Sequence, residues 1–179
     1  DAANAQGEIN FDPTWMPRFA LSYLPHPQLA IRSSVSKGYS PPTLAEVRSS
    51  NNIINVNLRP ENGYNYEVGL RAETKDRRWM LDLSTYQYDL KEGIVRQLNE
   101  TGAEFFVNAG AIRQRGLEVQ LMGQLVPVNT SGVIRSLQLS SALTYQDYRF
   151  TEYTTAAGDT NVDYSGNAVT SIPRWISVN

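Results

Sequence analysis

The sequence predicts an all-β fold, an antiparallel up-and-down meander forming part of a transmembrane β-barrel. Three observations predict it. First, residues 64–73 read YNYEVGLRAE, where Tyr64, Tyr66, Val68, Leu70 and Ala72 alternate with Asn65, Glu67, Gly69, Arg71 and Glu73. Period-two alternation makes a strand with one apolar and one polar face. A soluble core would take the apolar face inward; an outer-membrane barrel turns it to lipid and its polar face to a wet lumen. Second, about seven such strands are separated by connections that run short, long, short, long, medium, long. In a meander alternate connections share an end, so the long ones fall together, as in barrels with short periplasmic turns and longer extracellular loops. Third, Tyr39, Tyr64, Tyr66, Tyr86, Tyr88, Tyr145 and Tyr148 lie at strand ends beside the long connections, and Trp79 and Tyr23 lie beside short turns. Rings with an apolar body and a polar tip favour membrane interfaces, and two aromatic belts are a barrel feature.

The first strand is expected over residues 18–24, with Phe19, Leu21 and Tyr23 on one face. Pro25-His26-Pro27 reads as a tight turn, because proline cannot continue a ladder. The second strand spans residues 28–39, with Leu29, Ile31, Ser33 and Val35 opposite Ala30, Arg32, Ser34 and Ser36. A polar connection over residues 40–62 follows, in which Ser40-Pro41 is expected to cap a short helical turn. The third strand is the alternating stretch described above, and residues 74–77 form a charged turn. The fourth covers residues 78–88, with Trp79, Leu81, Leu83 and Thr85 on one face; Tyr86 and Tyr88 then either point inward or follow a bulge. Residues 89–103 make a second long connection. The fifth strand spans residues 104–122 and the sixth 136–148, with residues 123–135 between them. A third long loop occupies residues 150–173, and a seventh strand begins at Trp175.

One feature opposes a lipid-facing fifth strand. Arg113 and Arg115 share the phase of Val107, Ala109, Leu117, Val119 and Leu121. An arginine facing lipid costs about 2–4 kcal/mol at the midplane and about 0–1 kcal/mol near the interface. Arg113 counts to the outer interface, where anionic outer-leaflet groups are at hand. A bulge at Gly110 or Gly116 is expected to turn Arg115 inward.

Composition limits the alternatives. The 179 residues suffice for one domain, and 41% hydrophobic with 19% charged residues argues against disorder. Sixteen basic against 18 acidic residues, a formal charge of -2, provide no nucleic-acid footprint. The absence of cysteine excludes disulfides, thiolate metal sites and cysteine nucleophiles. Apolar runs such as Trp79-Met80-Leu81 are far shorter than the ~20 residues of a spanning helix, and a mean hydropathy of -0.40 is compatible with a barrel. Residues 1–10 are small and polar, unlike a secretory leader, so the start reads as a mature or internal segment.

Four blocks then carry a family resemblance. Residues 37–47 read KGYSPPTLAEV, 59–71 RPENGYNYEVGLR, 108–121 NAGAIRQRGLEVQL, and 166–174 GNAVTSIPR. In this order they resemble the later part of the barrel of TonB-dependent outer-membrane receptors, and the resemblance covers nearly the whole chain. It implies a single incomplete segment, residues 1–179, contributing about seven strands to a plugged barrel of about 22. The family's plug and coupling box do not appear in the sequence, and the chain stops in mid-strand, so it reads as an excerpt with two open edges. The implied location is the outer membrane of a Gram-negative bacterium. The implied function is import of a scarce nutrient, foremost a ferric siderophore, with energy from an inner-membrane TonB complex. Implied partners are outer-membrane lipid and lipopolysaccharide, the plug of the same parent chain, the TonB-type coupling protein and the siderophore or a similar small ligand. Pro60 would end a loop and Glu61 begin strand pairing, while Gly69 and Gly116 would leave lumenal space for a plug or bulge. Asn65, Glu67, Arg71, Glu73, Glu118 and Gln120 are expected to face the lumen or plug. Arg48, Arg59, Tyr88, Arg96, Tyr148, Tyr153 and Tyr164 are expected at the extracellular side, where guanidinium and phenol groups suit an anionic, aromatic-rich chelate.

Catalysis is not expected, and neither is a cofactor or metal. His26, the sole histidine, lies between two prolines in a turn, so a serine-histidine triad is unsupported. Asp159, Asn161 and Asp163 lack the glycine and glutamate that complete an EF-hand. Glu67, Glu73 and Glu118 lie on different strands and suit lumen hydration better than acid-base work. Two other functions remain open at this stage: a soluble all-β carbohydrate-binding module, which would bury Tyr64, Val68, Leu70, Trp79, Leu81 and Leu83, and a passive porin-like barrel.

Overall fold

A computed structural model describes residues 10–48, 54–98, 101–108, 110–128, 132–157, 160–170 and 172–178. In chain order its strands are β1 (Arg18–His26), β2 (Leu29–Ser40), β3 (Glu61–Glu73), β4 (Trp79–Lys91), β5 (Ile94–Leu98) and β6 (Glu104–Asn108). They continue with β7 (Ala111–Val126), β8 (Leu137–Glu152), β9 (Thr154–Ala157), β10 (Thr160–Asp163) and β11 (Trp175–Val178). A four-residue helix, α1 (Leu44–Val47), lies between β2 and β3. The seven strands β1-β2-β3-β4-β7-β8-β11 form one antiparallel sheet in that order. The hairpins β5-β6 and β9-β10 stand apart from it, on the second and third long connections. Short connections at one end and long ones at the other match the parity read from the sequence.

The register makes the two faces explicit. No shift interrupts the β2-β3, β3-β4 or β4-β7 pairings. One face therefore carries cross-strand apolar rows. Leu21, Ser33, Val68, Thr85, Leu117, Tyr145 and Trp175 form one; Tyr23, Ile31, Leu70, Leu83, Val119, Leu143 and Ser177 form the next. The opposite face carries Arg32, Gly69, Ser84, Glu118 and Thr144 in one row and Ala30, Arg71, Asp82, Gln120 and Ala142 in another. Among the described residues no second layer of strands or helices packs over either face. Among the described residues Leu58, 3% exposed, is the buried hydrophobic residue, whereas Phe19 is 71%, Val68 52% and Trp175 61% exposed. A sandwich of this length would bury such side chains between layers; here one layer presents them outward.

Several expectations change in detail. β1 continues through Pro25 to His26, because it is an edge strand and a register shift between Tyr23 and His26 absorbs the missing donor. The turn moves to Pro27-Gln28. Thr43, not Ser40-Pro41, caps the helical turn: its hydroxyl accepts from the Glu46 N–H while the Glu46 carboxylate accepts from the Thr43 N–H. The single strand expected over 104–122 divides into β6 and β7, since β6 pairs with β5 while β7 joins the main sheet. Gly110 at the break has φ +95, and a Cβ there would collide with the Glu152 carbonyl at 1.5 Å. Tyr86 and Tyr88 lie on the polar face, because β4 keeps one phase throughout.

The arginine expectation also changes. The register irregularity near Gly110 lies between Ala111 and Ile112, beyond both arginines, and β7 has none between Ile112 and Gln124. Arg113 and Arg115 therefore both stay in phase with Leu117 and Val119, and Arg115 is not turned inward.

Candidate functional site on the polar face and the long-loop end

The polar face is organised around Asp82. The Arg32 side chain leaves β2, passes over Gly69 and donates Nη2 to Asp82 Oδ1 at 2.8 Å. Arg71 on β3 donates Nε to Asp82 Oδ2 at 2.7 Å. Asp82 is 15% exposed and the arginines 46% and 48%. One carboxylate thus holds two cations, and the local charge is positive. Glu67, Arg18 and Ser84 line the same cleft of about 390 Å³.

Towards the long-loop end the face becomes aromatic. The Tyr86 ring lies over Gly116, where a Cβ would meet it at 2.3 Å, and its hydroxyl bonds that of Tyr148 at 2.8 Å. Tyr88 covers Gly63 and Gly38, at 2.9 and 3.1 Å from their hypothetical Cβ positions. Asn65, Tyr88, Gln114 and Tyr148 share one register row. The spaces expected at Gly69 and Gly116 for a plug or bulge are thus occupied by Arg32 and Tyr86 of the sheet itself.

Asn108 fastens the connections above. Its amide oxygen accepts from the Arg59 N–H at 2.7 Å, and its amide nitrogen donates to the Arg59 and Glu92 carbonyls at 2.8 and 2.7 Å. Arg59 also pairs with the Glu92 carboxylate at 2.8 Å. Glu61 accepts from the Ile94 N–H at 2.8 Å, and Asn55 donates to the Phe106 carbonyl. These bonds satisfy backbone groups outside the main ladders and tie connection 41–60 to hairpin β5-β6. A weaker contact, Gln97 to Thr155 at 3.4 Å, reaches hairpin β9-β10. At the base of that hairpin Tyr153 stacks on Phe150 at 4.6 Å and meets Tyr164 at 5.7 Å. Asp163 in β10 is held below the usual carboxylate range by the Ser165 hydroxyl and backbone N–H. At the opposite end, the Thr74 hydroxyl and then the Arg78 backbone N–H hold Asp76 low in the turn between β3 and β4.

The model of the TonB dependent receptor-like β-barrel matches residues 2–178. The chain belongs to the TonB-dependent receptor family. Solved receptors share the fold. The siderophore receptor PiuA from Acinetobacter baumannii superposes with a TM-score of 0.64 at 19% identity, covering 89% of this chain and 22% of that one. The siderophore receptor PirA from Pseudomonas aeruginosa gives 0.60 at 22% identity, with 79% and 29% covered. The ferric-catecholate import receptor Fiu from E. coli K12 gives 0.60 at 18% identity, with 88% and 20% covered. The chain therefore spans between a fifth and a third of the length of these receptors.

In this receptor segment Asn65, Glu67, Arg71, Glu73, Glu118 and Gln120 occupy one face. Of the residues expected at the ligand side, Tyr88 and Tyr148 come together on the same face, and Tyr153 and Tyr164 adjoin each other. Arg59 and Arg96 are engaged in the frame: Arg59 with Glu92, Arg96 with Glu104 across β5-β6. Arg48 stands in an isolated bridge with Ile54. Asp159 lies outside the described residues. Sequence reading passed over Asp82; it gave Tyr86 a belt position and Asn108 a place in a family block, without their bonds to Tyr148 and to Arg59 and Glu92. The signal for Asp82 was a carboxylate between Leu81 and Leu83, in the phase opposite to both.

Proposed function

We propose that the chain is a section of the barrel wall of an outer-membrane active-transport receptor, whose full form binds a scarce nutrient, foremost a ferric siderophore, and imports it with energy from a TonB complex. Its apolar rows face lipid. Its polar face lines the lumen, where Arg32, Asp82, Arg71, Glu67 and Glu118 meet the plug or water. One observation carries this reading: a single-layer sheet with apolar rows on one side, the Arg32-Asp82-Arg71 cluster on the other and all long connections at one end, in a chain of this family. Charged groups facing away from bulk water are costly without partners, and a wet lumen or polar plug supplies them. Ligand contact falls to Tyr88, Tyr148, Tyr153 and Tyr164, because Arg59 and Arg96 are occupied in building the loops.

No covalent step belongs to the wall. It supplies a rigid surround, positions the loops and offers phenol and guanidinium groups to an anionic ligand. The test is uptake of radio-iron-labelled siderophores by cells expressing the full receptor, with the TonB complex intact or disrupted. Accumulation that disappears with the TonB complex supports the reading. Accumulation that persists identifies a passive pore, and a full receptor found wholly in the soluble fraction refutes a barrel.

A further inference from the structure

We infer that Tyr153 and Tyr164 form an oxidative cross-linking site, at which a one-electron oxidant joins the two rings and closes hairpin β9-β10 covalently at its base. The two residues face each other across the hairpin. Thr154 pairs with Asp163 in the ladder, and one position further out the Tyr164 N–H donates to the Tyr153 carbonyl at 2.7 Å. The Tyr153 N–H donates to the Ser165 hydroxyl at 3.1 Å, and the Asp163 carboxylate accepts from the Ser165 N–H at 2.8 Å. Below them the Gly166 N–H donates to the Phe150 carbonyl at 2.7 Å, and the Phe150 N–H to the Asn167 carbonyl at 3.0 Å. The backbone thus sets the two tyrosines opposite one another.

Their ring centroids stand 5.7 Å apart with a 34° tilt, inside the roughly 4.5–7 Å range of aromatic contact. Phe150 stacks on Tyr153 at 4.6 Å and has no hydroxyl to oxidise, so it steadies Tyr153 without competing for the radical. Tyr164 is exposed, so an oxidant in water reaches the pair. The other tyrosine pairs are less suited. Tyr64 and Tyr66 lie on one strand at 6.5 Å, and Tyr86 and Tyr148 touch hydroxyl to hydroxyl on the half-buried polar face. The oxidant class is the hydroxyl radical that ferrous iron makes from peroxide. Each phenol gives one hydrogen atom, an electron with its proton, to one such radical, which becomes water. The two phenoxyl radicals then form a carbon–carbon bond between the ring positions beside their oxygens. The hydrogens on those two carbons move to the oxygens and restore both phenols. Two hydrogen atoms leave the protein and two hydroxyl radicals are reduced. The new bond closes the chain from Tyr153 to Tyr164 into a ring, which cuts the conformational freedom of the hairpin. Neither the identity of the ligand nor the direction of transport enters this chemistry.

The experiment treats the full receptor in detergent with a ferrous salt and hydrogen peroxide, stops the reaction with catalase and a chelator, and digests with a protease that cuts before aspartate. Cuts at Asp159 and Asp163 separate the peptide holding Tyr153 from the one holding Tyr164. Mass spectrometry should recover the two as one species, lighter than their sum by two hydrogen atoms. Tyr153→Phe and Tyr164→Phe keep the ring contact and should each abolish that species. Receptor unfolded in urea before treatment should not form it, because the pairing depends on the hairpin. Amide hydrogen exchange in β9 and β10 should slow once the link has formed. Separate peptides from the folded parent, a joined species that persists in Tyr164→Phe, or an equal yield from the unfolded chain overturns the inference. Coupling of Tyr86 to Tyr148 in place of Tyr153 to Tyr164 does so as well, and unchanged exchange in a linked sample overturns the closure of the hairpin.

Discussion

Asp82 is flanked by two guanidinium groups, so its replacement by alanine leaves Arg32 and Arg71 as neighbouring cations without a shared anion. Loss of about 1–3 kcal/mol is expected from a largely buried acceptor of charged donors, read as a lower urea midpoint of the full receptor in lipid vesicles. Arg32→Ala should cost less, because Arg71 still satisfies the carboxylate. Glycines discriminate further. A Cβ at Gly116 would meet the Tyr86 ring at 2.3 Å, whereas at Gly69 the nearest atom stands at 3.5 Å. Gly116→Ala should therefore displace Tyr86 from Tyr148 and cost about 1–3 kcal/mol, while Gly69→Ala leaves the urea midpoint nearly unchanged. Asp76 gives a pH dependence. Its folded pKa is lowered, so its contribution is present above the ordinary carboxylate value and lost as pH falls through the lowered one. The stability gap between the parent and Asp76→Ala should close under strong acid and stay open at neutral pH. Which face most strand residues occupy was legible from period-two alternation, but the faces of Tyr86, Tyr88 and Arg115 were not. Nor was the Arg32-Asp82 pair, because it spans two strand boundaries and depends on register, which no single strand encodes.

Connection lengths revealed the elements better than their borders. Among the long main-sheet strands, β2, β3, β4 and β7 carry clear alternation, and their order follows from short turns at one end. Their ends were less legible. β1 runs past Pro25 because an edge strand need not donate on both sides. The hairpin β5-β6 was hidden in a segment read as connection and strand, since Phe105 and Val107 continue the phase of the apolar rows but pair locally with Gln97 and Val95. Asn108 also gave no sign of its role, because an asparagine two residues before a glycine suggests an ordinary turn. Its three bonds to Arg59 and Glu92 make it the joint between two of the long connections. Asn108→Ala should raise hydrogen exchange in 54–60 and in β5-β6 together, with β3 and β4 protection unchanged. Separate responses of the two segments would show that they are not joined there.

At the scale of the molecule, family and architecture were legible because four spaced blocks and loop parity agreed. The ligand was not, because the residues proposed for it are divided between the ends of β4 and β8 and the long connections, which only the folded register brings near one another. What the whole sheet decides is orientation: every apolar row must face the same medium, and the Arg32-Asp82-Arg71 cluster the opposite one. The chain contains no cysteine, so single labels can be introduced into the segment without background from it. The most direct measurement is the fluorescence of bimane attached to Val68→Cys, Leu70→Cys, Glu67→Cys or Gln120→Cys in the full receptor, reconstituted with and without brominated lipid. Strong quenching at positions 68 and 70 with little at 67 and 120 is the predicted result. Quenching that is equal at all four, or strongest at 67 and 120, would contradict a lipid-facing apolar face.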